Sequence, residues 1–213
     1  MTRYFCWSSQ PSRLAQSLAG WSLSLCRACL PQPMMVGGQV CLLQELSNSV
    51  PSQVLAAYRK LSEETVYLRF MGPKRTPSLA LLSPFLTYNP AHQVGLMLLD
   101  HRGAPVAMAQ SIRRRKHPER AEFSCVVADH FQQRGAGRRI LLALALLARA
   151  EGINEWIAEV LAQNQPMLGL LKTLGLPLTL VTGRELVFVR LDLTVLDRWI
   201  LQGTWQQPKT KGE

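Results

Sequence analysis

No apolar run in this 213-residue chain is long enough to cross a bilayer. The longest, Ile140 to Ala148, ends at Arg149 and is about half of the ~20 residues a transmembrane helix needs. A membrane-spanning role is therefore not expected. Cysteine is sparse and odd in number, with Cys6, Cys26, Cys29, Cys41 and Cys125 at irregular spacing. That excludes the disulfide framework of a small secreted protein and points to a reducing, cytoplasmic setting. One CxxC is present, Cys26 to Cys29, but His92, His101, His117 and His130 all lie far downstream, so neither a zinc site nor any other metal is expected. A secretory leader is not expected either. The patch Leu14 to Leu25 is broken by Gln and Ser, no small-residue cleavage site follows, and Leu25 spoils a lipoprotein signal before Cys26. No internal repeat is found, no GxGxxG and no Gly-Lys-Ser/Thr, which removes the Rossmann and P-loop readings of phosphate binding.

Acidic residues are scarce too: 14 Asp+Glu stand against 24 Lys+Arg, a net charge of +10. With 47% hydrophobic residues, the chain has material for one buried core and is too apolar to be disordered. Between residues 102 and 139 there are nine basic residues and three acidic ones, so most of the excess sits in one central segment. Aromatics make up 7% of the chain and provide no stacking platform near that segment, which argues against a nucleic-acid partner.

The periodicities predict strands over 39–44, 94–99, 105–112, 121–128, 155–161, 178–181 and 186–191. They predict helices over 49–61 with Ser49 as N-cap, 77–86, from the glycine turn to about 151, and 165–174. The order βααβββαβαββ is α+β, a mixed and mainly antiparallel sheet with helices on both faces. Residues 1–35 read as a poorly ordered extension, or as an upstream start ahead of Met34 and Met35. Residues 36–193 read as the domain and 194–213 as a short helix and tail.

The strongest local signal is FSCVVADHFQQRGAGRR, Phe123 to Arg139. A strand feeds a glycine turn that opens an apolar helix. Free N–H groups, the positive helix end and Arg134, Arg138 and Arg139 together suit an anion such as pyrophosphate. A plain helix start after a glycine turn is the alternative.

Gln132-Gln133-Arg134-Gly135-Ala136-Gly137 resembles the central motif of the GNAT superfamily of acetyl-CoA-dependent N-acetyltransferases, and the element order from Gln39 to Leu191 matches that fold. EVLAQNQPMLGLLKTLGL, Glu159 to Leu176, is similar to its second motif. More narrowly, YRKLSEETVYLRFMGPKR (Tyr58 to Arg75), AEFSCVV (Ala121 to Val127) and EVLAQNQPML resemble the Pat-type protein lysine acetyltransferases. The resemblance implies acetyl-CoA as co-substrate and a protein lysine as acceptor, with a small amine as the alternative. It implies that the backbone of Val126 and Val127 pairs with the pantetheine arm, and that Gln132, Gln133, Arg134, Gly135, Ala136, Gly137 and Arg138 cradle the pyrophosphate. Asn164 would hold the arm near the thioester. Glu122 would be the general base, its pKa raised by Phe123 and Val126, with Glu159 as a substitute. The competing reading of Glu122 is a solvated carboxylate paired with an arginine. Leu171 stands where many members carry the tyrosine general acid, so that role is unassigned. A cofactor-binding module without turnover is the reading from outside the enzymes.

Overall fold

The computed structural model describes residues 30–46, 51–72, 89 and 91–197. In chain order the elements are β1 (Gln32–Val36), β2 (Gln39–Glu45), α1 (Pro51–Arg59), α2 (Glu63–Phe70), β3 (Gln93–Leu99), β4 (Pro105–Arg113) and β5 (Arg120–Val127). A 3-10 turn (Asp129–Phe131) leads into α3 (Ala136–Ala150), and β6 (Glu155–Leu161), α4 (Gln165–Lys172), β7 (Leu178–Thr182) and β8 (Leu186–Asp192) follow. The eight strands form one sheet in the order β1-β2-β3-β4-β5-β6-β8-β7. Every pairing is antiparallel except β5 with β6. The parallel step is where α3 intervenes, as a parallel crossover requires. The α+β architecture and mixed sheet are as the periodicities predict.

Alternation of side chains splits the core in two. One face of the sheet carries Leu96, Leu98, Ala109, Phe123, Cys125 and Trp156 against α3 and α4. The other carries Met97, Leu99, Met108 and Val126 against α1 and α2, through Val54, Tyr58 and Val66. The apolar run Ile140–Ala148 is buried throughout, which is why it is apolar on every side. Among the described helices none is long and apolar enough to cross a membrane.

Two elements depart from expectation. The sheet begins at Gln32, inside the segment assigned to the N-terminal extension, and β1 pairs fully with β2. Prolines at 31 and 33 disguise this strand, and it sits where proline is tolerated, on the sheet edge. Helix α2 was not anticipated either. Ser62 caps it by accepting a hydrogen bond from Thr65 N at 3.1 Å, and Met71 closes it in the left-handed conformation. The predicted helix 77–86, the Ser49 cap, the CxxC and most of the C-terminal tail lie outside the described residues.

Candidate active site

Strands β5 and β6 run together for only three residue pairs, Arg120 with Glu155, Ala121 with Trp156 and Glu122 with Ile157. Beyond these the strands diverge, although β5 continues to Val127 and β6 to Leu161. Glu155 holds the base of the V: Arg120 Nε lies 2.9 Å from its Oε2 and Arg190 Nη2 lies 2.5 Å from its Oε1. Ala128 N donates to Val106 O, and in an antiparallel ladder this directs even-numbered residues of β5 to β4 and odd-numbered ones to the gap. Cys125 and Val127 therefore turn their backbone groups to the opening, whereas the backbone of Val126 is engaged with Met108. Val126 contributes only its side chain to the cleft, a correction to its expected role.

The V opens into a cleft of about 1860 Å³ lined by α2, β4, β5, β6, β8 and the start of α3. Typical small-molecule pockets are ~300–1,000 Å³, so this one has room for a long cofactor and an acceptor together. The end best suited to an anion is the start of α3. Gly135 caps the helix with φ 82° and no side-chain acceptor, and the first turn has no acidic residue. Arg138 and Arg139 line the cleft there, beside a positive helix end that disfavours cations unless an anion compensates. Arg138 Nε also donates to Thr173 O at 2.9 Å, tying α3 to the end of α4.

Several glycine-turn residues have tasks other than those expected. Arg134 leaves the cleft: its aliphatic stem packs on the β1–β2 turn, where a Cβ at Gly37 would lie 2.7 Å from its Cδ, and its guanidinium lies 6.0 Å from the Phe131 ring centre. Ala136 is buried and does not line the cleft. Gly137 lines the cleft as expected and also lets helices and sheet approach, since a Cβ there would meet Leu170 Cδ2 at 2.8 Å and Val127 Cγ2 at 3.4 Å. Gln132 does face the cleft, donating from Nε2 to Val127 O at 3.2 Å and to Thr65 Oγ1 at 3.1 Å. Gln133, at φ 57°, and Gly135 line it as well.

Behind Gln132 stands a clamp that sequence reasoning missed. Asp129 accepts hydrogen bonds from Ser62 N at 2.9 Å and from the hydroxyls of Ser62 and Thr65 at 2.6 Å each. Partial burial pushes its carboxyl up, but these bonds outweigh that and hold it below the ordinary aspartate value. The clamp fixes the start of α2 to the cofactor turn. The available signal was Ser62-Glu-Glu-Thr65, a helix-start pattern ahead of an apolar stretch.

At the other end of β5, Glu122 projects into the cleft with its side chain 63% exposed and Arg114 Nε 3.6 Å away. The arginine partner thus comes from the β4–β5 connection. Phe123 faces the opposite side of the sheet, stacked on Trp156 at 4.9 Å, so it does not desolvate Glu122 as expected. Glu159 lines the same wall, exposed and opposite Phe188. Asn164 lines the cleft and caps α4, accepting from Met167 N at 3.1 Å; its amide N–H groups are left for the cleft. Leu171 is fully buried and supplies no acid. Cys125 is buried, its thiol pushed up to about 12 by burial despite Arg69 nearby, which makes it a core residue and a poor nucleophile.

The fold that carries this cleft is matched by known proteins. Residues 57–176 match the acetyltransferase (GNAT) family. The chain belongs to that family. It is 31% identical over 138 residues to acetyltransferase Pat of Mycolicibacterium smegmatis, covering 64% of this chain and 38% of the relative. The chain therefore spans about two fifths of that curated protein. The GNAT domain of S. lividans PAT superposes with a TM-score of 0.67 at 23% identity, covering 73% of this chain and 92% of that domain. A GNAT phosphinothricin acetyltransferase from Sinorhizobium meliloti, solved with AcCoA, gives a TM-score of 0.58 at 19% identity over 80% of this chain and 94% of its own. Both share the fold.

Proposed function

We propose that this GNAT acetyltransferase moves the acetyl group of acetyl-CoA to the ε-amine of a lysine on a protein, with Glu122 as the general base. The observation that carries the reading is the V between β5 and β6, with the backbone of Cys125 and Val127 turned to the opening on one side, Val127 O being held by Gln132, and the α3 start at its far end. An extended arm laid in the V would add to β5 as a strand does. Its phosphates would reach the backbone of Gly135 and Gly137 with Gln133, Arg138 and Arg139 around them. Asn164 would take an arm carbonyl from the β6 side. The residues present fit acetyl-CoA, and the AcCoA in the S. meliloti relative supports the choice.

When bound, acetyl-CoA supplies an activated thioester. The chain supplies position and proton management. A lysine is protonated at neutral pH, and lowering its pKa from ~10.4 to 7 costs about 4.6 kcal/mol, so a base in reach of the amine matters. Glu122 lies about 16 Å from Val127 along β5 at ~3.3 Å per residue, which separates the proton-accepting end from the phosphate end. The exposed apolar side chains of Met71 and Phe188 on the cleft wall favour a macromolecular acceptor over a small polar amine. The 31% identity to Pat points the same way. Glu122→Gln keeps the strand and removes the base. It is expected to lower kcat by ~10²–10³ while acetyl-CoA still raises the melting temperature. Unchanged turnover in this variant would remove Glu122 from the mechanism. Binding of acetyl-CoA by the wild type with no transfer to any protein or amine would replace the enzyme reading by a sensor.

A further inference from the structure

The CoA site accounts for only part of the positive charge. The β4–β5 connection carries Arg113, Arg114, Arg115 and Lys116 in succession. Arg113 is engaged by the carbonyls of Pro118 and Glu151, and Arg120 by Glu155. Arg115 and Lys116 are exposed, and among the described residues neither faces an acid in an ion pair. Together with Arg114 they line a recess of about 440 Å³ that opens beside Glu122 and shares Ile112, Arg114, Arg120 and Glu122 with the main cleft. This recess lies at the Glu122 end of β5, the length of the strand from the α3 start, so the CoA phosphates do not reach both.

We propose that the recess formed by Arg114, Arg115 and Lys116 docks a carboxylate side chain of the acceptor protein, close in sequence to the target lysine, and that this carboxylate draws Arg114 off Glu122. The proposal rests on the lysine reading above. Arg114 and Glu122 are 47% and 63% exposed and 3.6 Å apart, an ion pair of the weak, readily exchanged kind. A carboxylate presented among three cations competes for Arg114 with the added pull of Arg115 and Lys116. Its arrival frees the Glu122 oxygens for the ammonium of the neighbouring lysine, so docking and unmasking of the base are one event. Because Arg114 is in contact distance of Glu122, the acidic residue lies within two or three positions of the lysine, each spanning ~3.3 Å of extended chain.

The test uses the full chain with acetyl-CoA and three fluorescent peptides holding a single lysine flanked at two positions by Glu, Gln or Arg. Binding is read by anisotropy and transfer by mass spectrometry. Wild type is expected to bind the Glu peptide roughly five- to tenfold more tightly than the Gln peptide at low salt, a preference that fades as salt rises. Arg115→Ala/Lys116→Ala should reduce the preference to near unity, and Arg115→Glu/Lys116→Glu should pass it to the Arg peptide. Arg114→Gln should narrow the gap in kcat between the Glu and Gln peptides. Equal binding of the three peptides, a preference that survives the Arg115/Lys116 variants, or equal displacement by random duplex DNA overturns the proposal. A binding preference that obeys the variants without transfer to any peptide keeps the docking surface and overturns lysine acetylation instead.

Discussion

Replacing Asp129 by alanine removes the carboxylate that joins the start of α2 to the turn before α3. Three hydrogen bonds are lost, from Ser62 N and from the hydroxyls of Ser62 and Thr65. A bond to a charged group contributes ~1.5–3 kcal/mol when sheltered. Asp129 is exposed, so water competes and roughly 0.5–1 kcal/mol per bond is the better figure, a total of about 2 kcal/mol. Asparagine should recover only part: its one oxygen can still accept from both hydroxyls, which share Oδ1, but the amide then turns a donor against Ser62 N, which donates to Oδ2, and the charge is gone. The sign with pH follows from the depressed carboxyl. A group whose folded pKa is lowered stabilises fully above its unfolded value, near 3.9 for aspartate, and that contribution is lost as pH falls through the lower folded value. Urea unfolding of wild type and Asp129→Asn from pH 7 to pH 2.5 should therefore show a constant stability gap down to about pH 4 and a shrinking one below it. Loss of the clamp should also raise the KM for acetyl-CoA, because Thr65 holds Gln132 in the cleft. A gap below ~0.5 kcal/mol at pH 7, or one that does not change with pH, would refute the clamp.

Gly137→Val should destabilise by ~1–3 kcal/mol through overpacking against Leu170 and Val127, and Leu170→Ala in the same chain should recover part of it; purely additive urea midpoints would show that the two sites do not touch. The Cys125 thiol, pushed up to about 12, should resist a thiol reagent at pH 8 in the folded protein and react once urea unfolds it. Fast labelling of native protein at Cys125 would contradict its burial.

The pattern of apolar positions was enough to place ten of the elements, because a period of two or 3.6 is written directly in which residues must avoid water. It failed where the local signal is polar. Strand β1 hides behind two prolines and depends on β2 to exist. Helix α2 reads SEETVYLRF, and its stability comes from Val66 under the sheet and from Asp129, 64 residues beyond Thr65. The glycine turn was legible as a candidate anion site, yet Arg134 and Ala136, both inside the motif, point elsewhere.

By itself the sequence determined the fold class, the family resemblance and the position of the arginine-rich helix start proposed for the phosphates, since these rest on short-range order and on residue types with few alternatives. Only the tertiary structure decided what each motif residue touches. Whether Val126 or Val127 opens its backbone to the cleft depends on the register with β4. That Glu122 meets Arg114 while Arg120 is taken by Glu155 depends on where β5 and β6 part. Pair identity, splay and enclosure are properties of strands brought together across the chain, and no window of sequence contains both partners.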